Sequence, residues 1–182
     1  MQRLWLVRHA SPLVAPGICY GSLDVEADRA ATGQAAAALH RILPGEATFF
    51  SSPLRRCRQL ADAIGELRPR HAMTQDPRLA EMDFGDWEGR PWADLGKSRI
   101  DAWTDDFANH PPGGGETVAA FMKRVASAFD SLPPGDTAWI THAGVIRAAC
   151  LLASGRREIV SASEWPREST PFGSYLQLNL LE

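Results

Sequence analysis

The chain has 182 residues, 45% of them hydrophobic and 23% charged, with a formal net charge of -3. That length supports one sizeable core and favours a single domain spanning residues 1–182. The slightly acidic balance argues against nucleic acid or an anionic membrane as partner, leaving a small soluble molecule.

Three cysteines, Cys19, Cys57 and Cys150, are odd in number and widely spaced with no CxxC pair. A disulfide framework or thiolate zinc site is therefore not expected, and a reducing, cytoplasmic setting is. The N-terminal MQRLWLVRHA has only a short apolar run broken by charge, neither a signal-peptide core nor a membrane span.

Short apolar runs alternate with helical periodicities, which points to an α/β three-layer sandwich with a mostly parallel central sheet flanked by helices. Leu4 to Val7 predict a strand. After a loop carrying Pro12, Pro16 and Gly17, an alanine-rich helix is expected from Ala30 to Leu43, stopped by Pro44-Gly45. Ala47 to Phe50 form the second predicted strand. Ser52 then reads as a helix N-cap with Pro53 at the first helical position, and Leu54, Cys57, Leu60, Ala61, Ile64 and Leu67 recur at helical spacing. Residues 83–115 mix aromatics, acids, prolines and glycines without a sustained period, and read as short helices and loops forming a lid or substrate region over a site. Val118, Phe121, Met122, Val125, Phe129 and Leu132 make an amphipathic helix, which Pro133-Pro134-Gly135 ends. Thr137–Thr141 is the next strand, Gly144–Ala153 a buried helix, 156–166 a connector, and Ser174–Leu181 a last strand with period-two alternation. No repeat or interdomain linker interrupts this order.

Two of the predicted strands end in histidine. In an open α/β sheet, ligands collect at the carboxyl ends of the strands, and His9 and His142 both fall there. Ala143 and Gly144 are small enough for a ligand to approach the backbone, and the helix they open directs free N–H groups and its positive dipole end to the same place. Arg8 precedes the first histidine. Arg56 lies near the start of the helix after Pro53, off the face formed by Leu54, Cys57 and Leu60, from which its planar fork can reach a phosphoryl group. Two arginines and two histidines around one anion suit phosphoryl chemistry, with no metal required to neutralise charge. Neither histidine is accompanied by an HxxxH, HxH or acidic ligand cluster, so no metal site is expected. The plainer readings are that Arg55, Arg56 and Arg58 form a solvated helix face, that Cys57 and Cys150 are core, and that at least two of Trp87, Trp92 and Trp103 pack a small subdomain.

Five segments, in order, resemble the histidine phosphatase superfamily, also called phosphoglycerate-mutase-like. LVRHAS is similar to its RHG signature, SSPLRRCRQLA to its SPLxR segment, and LAEMDFGDWEG to its LxExxFGxWEG segment; PPGGGETVAAFMKRV and THAGVIRA follow. The resemblance implies a three-layer phosphoglycerate-mutase-like fold and, residue by residue, a mechanism. His9 matches the nucleophile that becomes phosphohistidine, Arg8 and Arg56 the phosphate-clamping arginines, and His142 the second histidine that holds the phosphoryl oxygens. Glu81 matches the acid that protonates the leaving oxygen. Tyr20, Gly21 and Ala143 match positions that line the phosphate site.

Some positions depart from the pattern. Ala10 stands where glycine is commoner, which requires that its φ stay negative. Leu60 replaces a frequent threonine, Pro12 to Gly17 contain no asparagine, and the stretch between Glu81 and the GGGE loop is short. These differences favour a phosphatase over a phosphoglycerate mutase, since a mutase keeps its phosphohistidine from water beneath a fuller lid. CYGSLD, GGGET and the compact length are similar to the alpha-ribazole phosphatase branch of cobalamin biosynthesis. An inactive phosphometabolite-binding regulator is the alternative of another class, and the competent side chains at all five matched positions speak against it. The aromatics of 83–115 suit either a pocket or a homodimer contact.

Overall fold

The first strand of the computed structural model, which describes residues 2–180, is β1 (Gln2–Arg8). There follow α1 (Arg29–Ile42), β2 (Thr48–Ser51), α2 (Arg55–Leu67), β3 (Met73–Gln75), α3 (Lys97–Asp105), α4 (Val118–Asp130), β4 (Asp136–Thr141), α5 (Ala143–Ala153) and β5 (Tyr175–Leu180). The five strands form one sheet in the order β3-β2-β4-β1-β5, parallel except for β5, which runs antiparallel along one edge.

Alternation along the central strands separates two cores. Leu4 and Leu6 of β1, Phe50 of β2 and Trp139 of β4 face a layer built by α4 and α5, where Phe121, Val125, Val145 and Leu152 are packed. Trp5 and Val7, Phe49, and Ala138 and Ile140 face the opposite layer, against Leu39 of α1 and Leu60 and Ile64 of α2. Burial on both faces is why β1 and β4 read as unbroken apolar runs. The three-layer expectation holds. A smaller cluster of Cys19, Trp87 and Leu95 sits under residues 83–115.

The sequence pattern predicts no β3, of which only Met73 is partly buried, and sets no bounds for α3, which has no fully buried residue and falls within the stretch read as short helices and loops. Neither offers the hydrophobic periodicity on which recognition depends. The predicted cap is also corrected. α2 begins at Arg55 with Leu54 as its cap residue and no side-chain cap bond, while Ser52 stays in extended chain beyond β2. Leu54 N–H does donate to Ser52 Oγ at 3.2 Å, but the hydroxyl has a second partner, described below. Among the described residues no non-glycine has a positive φ, so Ala10 satisfies its requirement. Leu60, with no exposed surface, serves as a core residue. Leu181, the end of the last predicted strand, lies outside the described residues.

The largest of the fully buried side chains, Trp139, is 2% exposed. Trp139→Ala is expected to lower the unfolding free energy by about 3–5 kcal/mol in a urea titration, while Arg55→Ala, which removes only an exposed ion pair to Glu26, should cost less than about 1 kcal/mol.

Candidate active site

Parallel pairing sets β1 and β4 side by side with Arg8 opposite Thr141. The ladder runs one step further, since His9 N–H donates to the Thr141 carbonyl at 3.0 Å and Gly173 N–H donates to the His9 carbonyl at 3.0 Å. His9 is thus fixed on both sides by backbone. Its ring stands edge-on to that of His142, with centroids 5.2 Å apart. His9 Nδ1 lies 2.7 Å from the Ala10 carbonyl. A carbonyl only accepts, so Nδ1 carries the proton and Nε2 keeps its lone pair. Burial first, then the nearby Arg56 and Arg8 charges, push the pKa of His9 down to about 3 against the opposing Ala10 bond. The imidazole is therefore neutral, as a nucleophile must be.

His142 is 1% exposed and follows β4 as the cap residue of α5. Its Nε2 is 2.7 Å from Ser52 Oγ and 3.4 Å from Cys57 Sγ. Burial, then Arg56 and His9, hold its pKa well below the ordinary value. Ser52, expected to cap a helix, instead orients this histidine. Cys57 is core, as expected, and its thiol is raised by burial.

Arg56 overturns the solvated-face reading: it has no exposed surface, whereas Arg55 beside it is exposed. Its Nη1 and Nη2 donate to the carbonyls of Leu23 and Gly21 at 2.8 and 2.6 Å. Arg8 Nη1 donates to Ser169 Oγ and the Thr170 carbonyl at 2.9 and 2.7 Å, and its guanidinium lies 3.8 Å from the Phe172 ring centre. Both Nε–H groups are buried without an acceptor among the described residues. Neither arginine is closed off by a carboxylate, unlike Arg3, Arg78 and Arg157, which pair with Asp136, Asp76 and Asp130. One buried and one half-buried cation, both held by neutral dipoles, leave positive charge for an anion.

Glu81 completes the group. Its Oε2 accepts from Gly144 N–H at 2.9 Å and its Oε1 from Met82 N–H at 3.1 Å. A Cβ on Gly144 would meet Glu81 Oε1 at 2.2 Å, so the glycine that opens α5 makes room for this carboxylate. Gly21 is equally confined, since a Cβ there would meet the Met82 carbonyl at 1.9 Å. A cavity of about 200 Å³ is lined by Arg8, His9, Tyr20, Arg56, Glu81 and Ala143, together with Phe84, Trp92 and Ile18. Of the residues singled out in the sequence, Gly21 stands behind this wall, holding Arg56, and His142 lies beneath it against His9.

A second cavity of about 470 Å³ adjoins the first and shares Tyr20, Glu81 and Phe84 with it. Trp103 of α3, Phe107, Phe121 of α4 and Trp165 form its apolar walls, with Arg147 and Arg167 among its polar lining residues. Trp87 and Trp103 both pack the small cluster, as expected, with ring centres 5.8 Å apart, and Trp103 and Trp92 in addition line cavities. Phe107, Phe121 and Trp165 were not singled out as site residues. Trp165 arrives from the connector after α5, so no local pattern could have placed it there.

A neutral histidine, two arginines and a carboxylate around one small cavity at the carboxyl edge of a parallel sheet define an enzyme of phosphoryl chemistry. The sequence profile of the histidine phosphatase superfamily (branch 1) matches residues 4–164, and the chain belongs to that superfamily as a phosphatase. It is similar to the adenosylcobalamin/alpha-ribazole phosphatase of Salmonella typhimurium, 37% identical over 68% of this chain and 63% of that protein. The chain thus spans somewhat less than two thirds of that relative's length. It is 30% identical to the glucosyl-3-phosphoglycerate phosphatase of Mycolicibacterium vanbaalenii over 85% of this chain and 70% of that protein. Among solved structures, TTHB049 of Thermus thermophilus matches with a TM-score of 0.75 at 31% identity, covering 97% of this chain and 93% of that one.

Because folding depresses the His9 pKa, the unfolded chain takes up a proton that the native state refuses once pH falls below the ordinary 6.5. The associated stability is present above pH 6.5 and is lost as pH falls toward about 3. Urea titrations between about pH 6 and 4 should show a slope of stability against pH that is smaller in His9→Asn than in wild type by about 1.4 kcal/mol per pH unit. Equal slopes would mean that His9 titrates alike in both states.

Proposed function

We propose that the protein is a metal-independent phosphomonoester hydrolase that works through phospho-His9, with alpha-ribazole 5'-phosphate as its substrate. The observation that carries the reading is a neutral His9, its Nδ1 occupied by the Ala10 carbonyl, on a cavity shared with Arg8, Arg56 and Glu81. The Nε2 lone pair attacks phosphorus as the ester P–O bond breaks, and protonated Glu81 gives its proton to the departing oxygen. Arg8 and Arg56 balance the charge of the equatorial phosphoryl oxygens. Water then attacks phosphorus and the P–N bond breaks. Glu81 takes the water's proton, returning the histidine, inorganic phosphate and the protonated acid.

His142 supports this cycle from beneath. Its neutral ring fills the space behind His9 and is held by Ser52, so the nucleophile has a fixed back wall and no competing positive charge. The rigid placement of groups in both steps substitutes for solvent reorganisation.

The substrate reading draws on the similarity to the Salmonella enzyme and on the chamber beyond Glu81. Aromatic walls formed by Phe84, Trp103, Phe107 and Trp165 suit a flat, largely apolar alcohol portion, because ring faces and edges supply stacking contacts that a polyol cannot use.

The test is phosphate release from alpha-ribazole 5'-phosphate and glycerol 3-phosphate, in chelator. Wild type should strongly prefer the ribazole ester, and His9→Ala should fall to background on both. Trp103→Ala should lose about tenfold in kcat/KM on the ribazole ester and little on the glycerol ester. Full activity in His9→Ala would refute the phosphohistidine route. Equal turnover of the two esters by wild type would refute the substrate assignment alone.

A further inference from the structure

The GGGET segment is a motif that the phosphate chemistry leaves unused. In the fold, Gly113–Gly115 presses against Asp83–Gly85, just beyond Glu81. A Cβ on Gly115 would meet the Asp83 carbonyl at 2.3 Å, one on Gly113 would meet the Phe84 carbonyl at 2.2 Å, and one on Gly85 would meet the Gly113 carbonyl at 2.2 Å. Gly85 and Gly113 also have positive φ. Only glycine permits two backbones to touch in this way. Glu116 N–H then donates to the Asp83 carbonyl at 2.8 Å.

The loop delivers the Glu116 carboxylate to Arg124 of α4. Arg124 Nε and Nη2 donate to its two oxygens at 2.9 and 2.8 Å, a bidentate pair whose side chains are only 23% and 18% exposed. The remaining nitrogen, Nη1, donates to the carbonyls of Arg78 and Ala80 at 2.8 and 3.0 Å. Between these, the Leu79 carbonyl accepts from Thr141 Oγ1 at 2.7 Å. Three successive carbonyls before Glu81 and one two residues after it are thereby tied down. Glu116 fixes the fork of Arg124, and Arg124 fixes the strand of chain that carries the carboxylate.

We propose that the Gly113–Glu116 loop and Arg124 act as a strut that positions Glu81 at the leaving-group oxygen. The proposal rests on the reading of Glu81 as the general acid. Arg124 and Glu116 do not line the cavity that holds His9; they are positioning residues. A displacement of about 1 Å in a proton donor is enough to cost on the order of 100-fold in rate.

Leaving-group dependence separates positioning of an acid from general damage. A p-nitrophenolate departs without help, whereas a benzyl alkoxide needs a proton as the bond breaks. Benzyl phosphate and p-nitrophenyl phosphate both carry a ring, so the comparison isolates that proton. Arg124→Lys, which keeps the charge and loses the fork, should lower kcat/KM, which stops at departure of the alcohol and excludes the dephosphorylation common to both esters, by about 10–100-fold on benzyl phosphate and by about threefold or less on p-nitrophenyl phosphate. Glu116→Gln should move in the same direction, and Glu81→Gln provides the limiting split between the esters. Equal losses of kcat/KM on both esters in the Arg124 and Glu116 variants, or no loss on either, would overturn the strut while leaving the Glu81 assignment standing. A Glu81→Gln enzyme that treats both esters alike would remove the general-acid reading, and the strut with it. Thermal unfolding of each variant, run alongside, shows whether a common loss comes from a destabilised fold.

Discussion

The parallel register between β1 and β4 is the constraint on which the site depends. Parallel strands end at the same edge of a sheet, so pairing Arg8 with Thr141 brings His9 and His142 together from distant parts of the chain. β2 joins the same edge through Ser52 N–H, which donates to the Ile140 carbonyl at 2.9 Å. That bond sets the Ser52 hydroxyl beneath His142 and starts the turn into α2, which carries Arg56. A slip of one residue along β1 would turn Leu4 and Leu6 away from one core and Trp5 and Val7 away from the other. The hydrophobic pattern that makes the sheet therefore also fixes the chemistry, because the wrong register exposes apolar surface before it misplaces a histidine.

Electrostatics at this edge works by withholding compensation. Two buried histidines are neutral because burial and adjacent arginines disfavour their protonation. Arg8 and Arg56 cannot respond in that way, and they stay charged while bonded to carbonyls and one hydroxyl. Carbonyl dipoles orient a guanidinium without neutralising it. The result is an uncompensated positive region at the bottom of a small cavity, which a phosphoryl dianion can balance and a neutral metabolite cannot. Carboxylate pairs elsewhere on the molecule, such as Arg3 with Asp136, carry no such surplus.

The sequence made the sheet edge legible and left its surroundings obscure, for physical reasons. β1 and β4 are covered on both faces and so appear as apolar runs, and the residues that follow them belong at the ligand edge of any open parallel sheet. β3 and α3 have little buried surface and left no periodic trace. Ser52-Pro53 carried the local signature of a helix start, yet the hydroxyl bonds His142, a partner no local rule can see. Arg56 was placed correctly at the helix start, but its complete burial depends on the carbonyls of Gly21 and Leu23, supplied by a distant loop. The Gly144 position was read as space for a ligand, and the structure fills that space with Glu81. The misreadings at Ser52, Arg56 and Gly144 all concern a long-range partner of a correctly located residue.

Glu81 belongs to both halves of the site, and that explains how the halves are joined. His9 and the arginines are anchored to sheet and helix, where packing makes their geometry stiff. The chamber that would receive the alcohol is built largely from loops and short helices, which lack such support. Glu81 lines both cavities and leaves the sheet side through a segment tied by Thr141 from β4 and by Arg124 from α4. Proton transfer is sensitive to distance, so a carboxylate on an untethered loop would add little, whatever its neighbours. Tying its backbone to β4 gives it the same reference frame as His142, and tying it to the glycine loop through Glu116 extends that frame to residues 83–85 at the rim of the aromatic chamber. Within this architecture the chamber walls can vary in shape without moving Glu81 away from His9, since the contacts that fix Glu81 are made by backbone groups and by two side chains, Thr141 and Arg124, outside the cavity that holds His9.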